Sequence, residues 1–296
     1  MPDTVLPFVF DSADVRGAVV GLDATWREVL TRRDYPLPVQ RLLGEAMAAA
    51  ALLCSTLKFE GSLILQTQAS NPSAPVRVMV VECNAALEMR ATATLGGALA
   101  AGDRHSLRDL VGDGRLVITL DPRDGQAAYQ GVVALEGEHL AGALENYMLR
   151  SEQLDTSIHL AAGSARAAGL LVQRLPGAGG GNAVPSRWSD ASILARTLAP
   201  AELLDLDARS LLRRLFHEFD LRVFDERSVV FRCTCSRQRV GDMLRMLGRP
   251  EVDEILAEKG AVSVNCEFCH QVYGFDPIDA AGLFLESAAP GTNALH

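Results

Sequence analysis

Positive charge is not in excess in this sequence: 28 Lys and Arg stand against 37 Asp and Glu, a formal net charge of −9. A global basic footprint for nucleic acid or an anionic lipid surface is therefore excluded, leaving room only for a local basic patch. Long hydrophobic runs are missing as well. The longest uninterrupted apolar stretch, Ala46–Cys54, is far short of the ~20 residues of a membrane span. The opening residues, MPDTVLPFVFDSADV, carry three aspartates and no basic segment, which does not read as a secretory signal. No internal repeat stands out, and no low-complexity tract beyond one glycine run. A phosphate-binding reading of that run fails, because no Lys-Ser/Thr follows it and Pro185 comes soon after. The six histidines are scattered and no nucleophile–base motif accompanies them. The expectation is a cytosolic protein that is not an enzyme, with no membrane and no nucleic-acid partner. An apolar fraction of 48% with 22% charged residues rules out wholesale disorder. The 296 residues suffice for about two domains.

Cysteine is present in small number and uneven placement. In a reducing compartment, six cysteines do not make a structural disulfide framework. Cys54 and Cys83 are isolated in apolar helix and strand patterns, where each reads as core packing. Cys233, Cys235, Cys266 and Cys269 fall close together as C-x-C and C-x-x-C. At this composition chance would give about 0.1 of each spacing in the whole chain, so both in one segment is a strong signal.

Four thiolates can bind zinc tetrahedrally at about 2.3 Å, each short pair supplying two ligands from a turn. Thirty residues separate Cys235 from Cys266, enough for a helical excursion between the two pairs. Other readings stay open on spacing alone. Cys266-Glu-Phe-Cys269-His270 fits the C-x-x-C-H haem-attachment pattern, although that pattern goes with exported proteins and leaves Cys233 and Cys235 unexplained. His270 could replace a cysteine as ligand. An iron–sulfur cluster also takes four cysteines, with C-x-C a less usual spacing. A thioredoxin-type pair would need a βαβ context that is missing. Arg232, Arg237 and Arg239 surround the motif, and their field is expected to favour thiolate, the form that peroxide attacks; they could equally balance a doubly negative metal–thiolate centre. A disulfide across C-x-C would close a small, strained and readily reduced ring.

The expected fold class is α+β. The first domain, 1–176, reads as mixed α/β with an antiparallel sheet. Val39–Leu57, after Pro36 and Pro38, reads as a long buried helix. Strands are expected at Ser62–Gln68, Val76–Glu82 and Ala86–Thr94, then at Leu116–Leu120 and Tyr129–Leu135 around the turn Asp121–Gly125. A helix at Leu140–Ser151 and strands at Ser157–Ala161 and Gly169–Gln173 follow. Leu175–Asn182, with its run of glycines, ends the pattern and reads as a flexible joint. Residues 177–230 are expected to be this joint plus a helical linker. From Asp190 to Phe219 the chain turns helical, with Leu204, Ala208, Leu211, Leu215 and Phe219 as one apolar stripe. The last domain, 231–296, reads as a small zinc-binding α+β module: Phe231–Cys235, then a helix capped by Ser236 with Val240, Met243, Leu244 and Leu247 on one face. A short helix Glu251–Lys259, a strand Ala261–Asn265, a turn Cys266–Cys269 and a strand His270–Phe275 complete it.

The segments LFHEFDLRVF (Leu215–Phe224), FRCTCSRQRV (Phe231–Val240), LGRPEVDEIL (Leu247–Leu256) and CEFCHQVYGFD (Cys266–Asp276) resemble the bacterial redox-regulated 33-kDa chaperonin (heat-shock) family. STLKFEGSLILQTQ (Ser55–Gln68), LDPRDGQAAYQGVVALEG (Leu120–Gly137), YMLRSEQLDT (Tyr147–Thr156) and GLLVQRLPG (Gly169–Gly177) extend the resemblance over nearly the full length. The chain departs from the family pattern at Thr234, where serine is usual, at His270, and in Cys54 and Cys83. The resemblance implies a cytoplasmic, ATP-independent holdase of the stress response. It implies Zn²⁺ held by Cys233, Cys235, Cys266 and Cys269 in a reduced, inactive monomer. Oxidation would pair Cys233–Cys235 and Cys266–Cys269, expel zinc, unfold module and linker, and give a homodimer that binds unfolding client proteins. The alternative class is a zinc-finger nucleic-acid binder using Arg232, Arg237, Arg239, Arg245 and Arg249, against which stand Glu251, Asp253, Glu254 and Glu258.

Overall fold

A computed structural model describes residues 2–11, 14–56, 60–99, 105–122, 127–135, 137–175 and 187–285. Of the expected glycine joint only Leu175, and of the Asp121–Gly125 turn only Asp121 and Pro122, fall among the described residues. The chain divides into two compact units, Met1–Arg232 and Cys233–His296.

The first unit begins with β1 (Thr4–Phe10), β2 (Val15–Leu22), α1 (Ala24–Leu30), α2 (Leu37–Thr56), β3 (Ser62–Gln68), β4 (Val76–Asn84), β5 (Glu88–Leu95) and α3 (Leu107–Val111). It continues with β6 (Arg115–Asp121), β7 (Tyr129–Ala134), α4 (Leu140–Arg150), β8 (Thr156–Ala162) and β9 (Ala167–Arg174). Three helices, α5 (Trp188–Arg196), α6 (Pro200–Asp205) and α7 (Ala208–Phe216), lead to the short strands β10 (Leu221–Val223), β11 (Arg227–Ser228) and β12 (Val230–Phe231). One sheet has the order β10-β1-β2-β9-β8, with β11 also on β1; the other runs β12-β5-β4-β3-β6-β7. All pairings are antiparallel except β12 with β5.

Helix α2 packs against both sheets, which explains its composition. Ala46 through Cys54 are buried without a break, because a helix between two apolar surfaces has no face for water. Its 20 residues are long and apolar enough to cross a bilayer, yet they form the middle layer of this unit. Small side chains let the layers approach: a Cβ on Gly44 would lie 2.5 Å from that of Ala162 on β8. Strand β9 is buried along both faces. Ala167 and Leu171 face the core around α2, while Ala168, Leu170 and Val172 face the opposite side, as the two-residue strand period requires.

That opposite side is covered by α5–α7. Leu211, Leu212, Leu215 and Phe216 of α7 pack with Leu6, Phe8, Phe10, Val15 and Val19 in a second apolar cluster. Phe216 sits 5.9 Å from Phe8 and 5.2 Å from Phe10, ring centre to ring centre. The helical stretch expected over Asp190–Phe219 is thus three helices. Pro200 opens α6, and the Asp207 carboxylate accepts from the Ser210 N–H at 2.9 Å to start α7 anew. These breaks reset the helical phase, so Leu203, Leu212 and Phe216 are buried where the uninterrupted stripe predicted Leu204 and Ala208. Residues 187–232, read from sequence mainly as linker, fold onto the first unit.

The second unit comprises α8 (Arg237–Leu247), α9 (Arg249–Lys259), β13 (Val262–Asn265), β14 (Val272–Phe275) and α10 (Pro277–Leu285). Its buried core is Leu244, Val252, Val262, Phe275 and Ala280. Helix α10 was not read in the sequence, and it changes which face of α8 is covered. Its Leu283 lies over Gly241, so the covered face is Val240, Gly241 and Leu244, while Met243 and Leu247 are exposed.

Candidate metal centre

Two local structures present the four cysteines. Ser236 accepts from the Arg239 N–H at 3.2 Å, capping α8 immediately after Cys235. From the same turn Arg239 Nη1 donates to Thr234 O at 3.1 Å and Thr234 Oγ1 at 2.8 Å, fixing the peptide between Cys233 and Cys235. The β13–β14 hairpin supplies the other pair. Cys266 N–H donates to Gln271 O at 3.0 Å and His270 N–H to Cys266 O at 2.8 Å, closing the turn that carries both sulfurs. His270 takes φ +57° to complete that turn.

All four Sγ atoms lie within 4.8 Å of one another. Cys233 and Cys266 sulfurs are 3.7 Å apart, and those of Cys235 and Cys269 are 3.3 Å apart. A tetrahedron with ~2.3 Å metal–sulfur bonds has edges near 3.8 Å, so the cluster fits a four-coordinate metal ion such as zinc. All six cysteines are free thiols. Among the described residues, the group placed to hold a metal consists of these four cysteines, and His270 is not in it. Both of these sulfur contacts, Cys233 with Cys266 and Cys235 with Cys269, run between the C-x-C segment and the hairpin.

The electrostatics differ from the expectation that nearby arginines favour thiolate. Burial pushes Cys266 above the usual thiol range, and burial with contacts to Cys235, Cys233 and Cys266 pushes Cys269 up to about 12. The arginines are committed elsewhere. Arg237 pairs with Asp279 at 2.6 Å and stacks over Phe275, Arg232 pairs with Glu88, and Arg239 holds Thr234. What does favour thiolate is backbone: N–H groups of Cys269 and Phe268 point at Cys266 Sγ, and that of Gln271 at Cys269 Sγ. A metal ion bound here would take the sulfurs as thiolates, and its binding would release their protons.

One further residue of the site escaped the sequence reading. Tyr273 on β14 donates its hydroxyl to Cys235 Sγ at 3.1 Å. Its strand position was a usable signal: Tyr273 pairs with Val264, two residues before Cys266, and strand side chains two apart share a face. A hydrogen bond of this kind orients a ligand and tempers its charge. Tyr273→Phe is therefore expected to weaken metal binding about 10-fold with the fold retained, read by competition with a chromogenic chelator; unchanged affinity would remove Tyr273 from the site.

The basic cluster weighed as a nucleic-acid surface is largely neutralised. Arg245 pairs with Asp242 and Arg249 with Asp253, in addition to the pairs of Arg232 and Arg237 above. Two of the histidines read as scattered, His105 and His139, line one cleft with Arg41, Glu45 and Glu138, a volume of about 620 Å³. Burial pushes Glu45 there up to about 7. Ser106, also in the cleft, is occupied in capping α3 with Asp109.

Residues 3–276 match the family model described as Hsp33 protein. The 33 kDa chaperonin of Methylobacillus flagellatus is 47% identical over 291 residues, covering 98% of this chain and 97% of the relative. That of Chromobacterium violaceum is 49% identical over 297 residues, covering 99% and 98%. A crystal structure of the 33 kDa chaperonin from Thermotoga maritima superposes with a TM-score of 0.81 over 96% of this chain and 99% of that one, at 18% identity, and shows the same fold. With full-length relatives well above the identity at which homology is secure and a family model spanning both units, this chain belongs to the Hsp33 family.

Proposed function

We propose that the chain is an ATP-independent holdase chaperone switched by oxidation, with 1–176 as core, 177–230 as joint and linker, and 231–296 as the redox module. In the reduced state Cys233, Cys235, Cys266 and Cys269 would hold Zn²⁺ as thiolates, and the metal would supply the cross-link between two segments thirty residues apart. The observation that carries this reading is the four-sulfur cluster standing beside a core that has five buried hydrophobic side chains among the described residues. A unit so built depends on its cross-link.

Oxidation by a peroxide would convert the sulfurs from a bridge between segments into pairs within them, Cys233–Cys235 and Cys266–Cys269. Each disulfide then closes a tiny loop and no longer joins Cys233–Cys235 to the hairpin. A cross-link spanning about thirty residues constrains the unfolded chain by roughly 3–4 kcal/mol, and that constraint is lost together with the metal. The apolar outer face of the first sheet, covered by α5–α7, would supply the surface for unfolding clients once the linker loosens. Dimerisation through the same surface follows naturally from exposing it.

The test is a parallel time course of zinc release, thiol loss and suppression of client aggregation after peroxide. Release of one zinc with loss of four thiols is expected to accompany at least a 10-fold rise in holdase activity, reversed by dithiothreitol and zinc. Equal activity in the reduced zinc-loaded and oxidised zinc-free protein would overturn the proposal.

A further inference from the structure

Cys54 and Cys83, each read from sequence as an isolated packed residue, meet in the fold. Cys54 lies in the last turn of α2, and Cys83 lies on β4 opposite Leu63 and Met89. Both are buried, at 2% and 0% exposure. Cys54 Sγ lies 3.5 Å from the Cys83 carbonyl oxygen, and each side chain acts on the other's ionisation. Both also converge on one carbonyl: Cys54 Sγ is 3.1 Å and Cys83 Sγ 3.7 Å from Asn84 O. Arg227 is the nearby cation. Its guanidinium donates to Ala85 O at 2.6 Å, and its charge acts on both thiols.

We propose that Cys54 and Cys83 are a second redox pair, closed to a disulfide by hydroperoxides and tying α2 to β4 inside the first unit. The two thiols have different roles. Contact with Cys83, helped by Arg227, outweighs burial and holds Cys54 below the usual thiol range; contact with Cys54 and burial hold Cys83 well above it despite the same arginine. Cys54 is the attacking sulfur and Cys83 the resolving one.

Hydrogen peroxide is the oxidant. The Cys54 thiolate attacks one peroxide oxygen, the O–O bond breaks, and the departing hydroxide takes up a proton as water, leaving a sulfenic acid on Cys54. Cys83 Sγ then attacks that sulfur, the S–O bond breaks, and hydroxide leaves with the Cys83 proton as a second water. Two thiols are oxidised by two electrons and one peroxide is reduced. Because both sulfurs are sealed from solvent, this pair closes only when the end of α2 opens locally, and so more slowly than the half-buried cluster at Cys233–Cys269.

The experiment uses the full-length, reduced, zinc-loaded protein. After peroxide, samples are denatured in N-ethylmaleimide at intervals and mapped by mass spectrometry without reduction. The expected result is a linked Cys54–Cys83 peptide that forms at least 10-fold more slowly than thiols are lost from the four ligand cysteines. Cys54→Ser is expected to abolish that peptide and leave Cys83 fully alkylated, with zinc content unchanged. Should that variant fail to fold, the wild-type map decides. Full alkylation of both residues after the ligand cysteines are exhausted, sulfinic acid on Cys54 without a link, or a link from either residue to a ligand cysteine would each overturn the pair.

Discussion

Chelation of the reduced full-length protein is expected to unfold residues 233–285 and leave the first unit folded. A structural zinc site contributes on the order of 10–16 kcal/mol, while a whole domain is usually stable by only about 5–15 kcal/mol. Among the described residues of this unit the fully buried core is small, Leu244, Val252, Val262, Phe275 and Ala280, with partly buried side chains such as Ile255 and Leu283 around it. A metal contribution of that size therefore decides whether the unit folds. Amide proton resonances of α8, α9 and the β13–β14 hairpin should collapse to random-coil positions with excess chelator and dithiothreitol, and return on adding zinc. Resonances of β2, β9 and α2 should not move. The sign of the pH effect follows from Cys266 and Cys269. Both are raised in the folded metal-free form, so folding without metal favours the protonated thiols, whereas loading the metal expels their protons. The chelator concentration needed for unfolding should therefore fall as pH falls. Persistence of the second unit's dispersion in metal-free protein would refute this dependence.

The second large effect is expected from Leu215→Asp. Leu215 is 2% exposed in the cluster that α7 makes with β1 and β2. Removing a buried leucine side chain costs about 2–5 kcal/mol, and an unpaired buried carboxylate adds to that. The carboxylate sits among the other anchors of α7, Leu211, Leu212 and Phe216, so the short helix should leave the sheet while α2 and its two sheets stay intact. The reduced, zinc-loaded variant is then expected to suppress client aggregation to near the level of oxidised wild type, without any oxidant. Hydrogen exchange should rise in 208–216 and stay low in α2, and Leu215→Ala should give an intermediate effect. If exchange rises in α7 while activity stays at the reduced baseline, the face under α5–α7 is not where clients bind.

Much of the first unit was legible because its strands alternate. Ser62–Gln68 coincides with β3, and the strands of β4 to β9 were placed within a few residues. The β1–β2 hairpin was not read. Strand β2 is covered on both faces, so it shows no alternation, and Gly17 and Gly21 interrupt it. Strand β1 contains Pro7, which argues against a strand. The fold accepts it between the residues that pair with β11, Thr4 and Val5, and those that pair with β10, Phe8 to Phe10. Helix α10 had a start signal that went unused: Asp276 and Asp279 cap reciprocally around Pro277, with the Asp279 N–H on Asp276 Oδ1 at 2.7 Å.

The candidate site was the most legible part, since metal-ligand spacing is a local property of the chain. Its four sulfurs gather as the spacing required. What spacing could not convey was long range: the carboxylates that take up Arg232 and Arg237, the hydroxyl of Tyr273 on Cys235, and the meeting of Cys54 with Cys83. Each depends on which distant elements become neighbours.

The pairing of β1 with β10 has a further consequence, for the order of events during synthesis. Phe8 meets Val223, so the partner of the chain's first strand emerges from the ribosome more than two hundred residues later. At about 5–20 residues per second this is a delay of roughly 10–40 s. Even β9, the other neighbour of β2, comes late. During that interval the nascent hairpin has unsatisfied backbone groups along both edges, and its phenylalanines await α7. Such non-local closure predicts slow folding. The newborn chain thus passes through a stage in which it needs the same protection from aggregation that the finished protein is proposed to give to others.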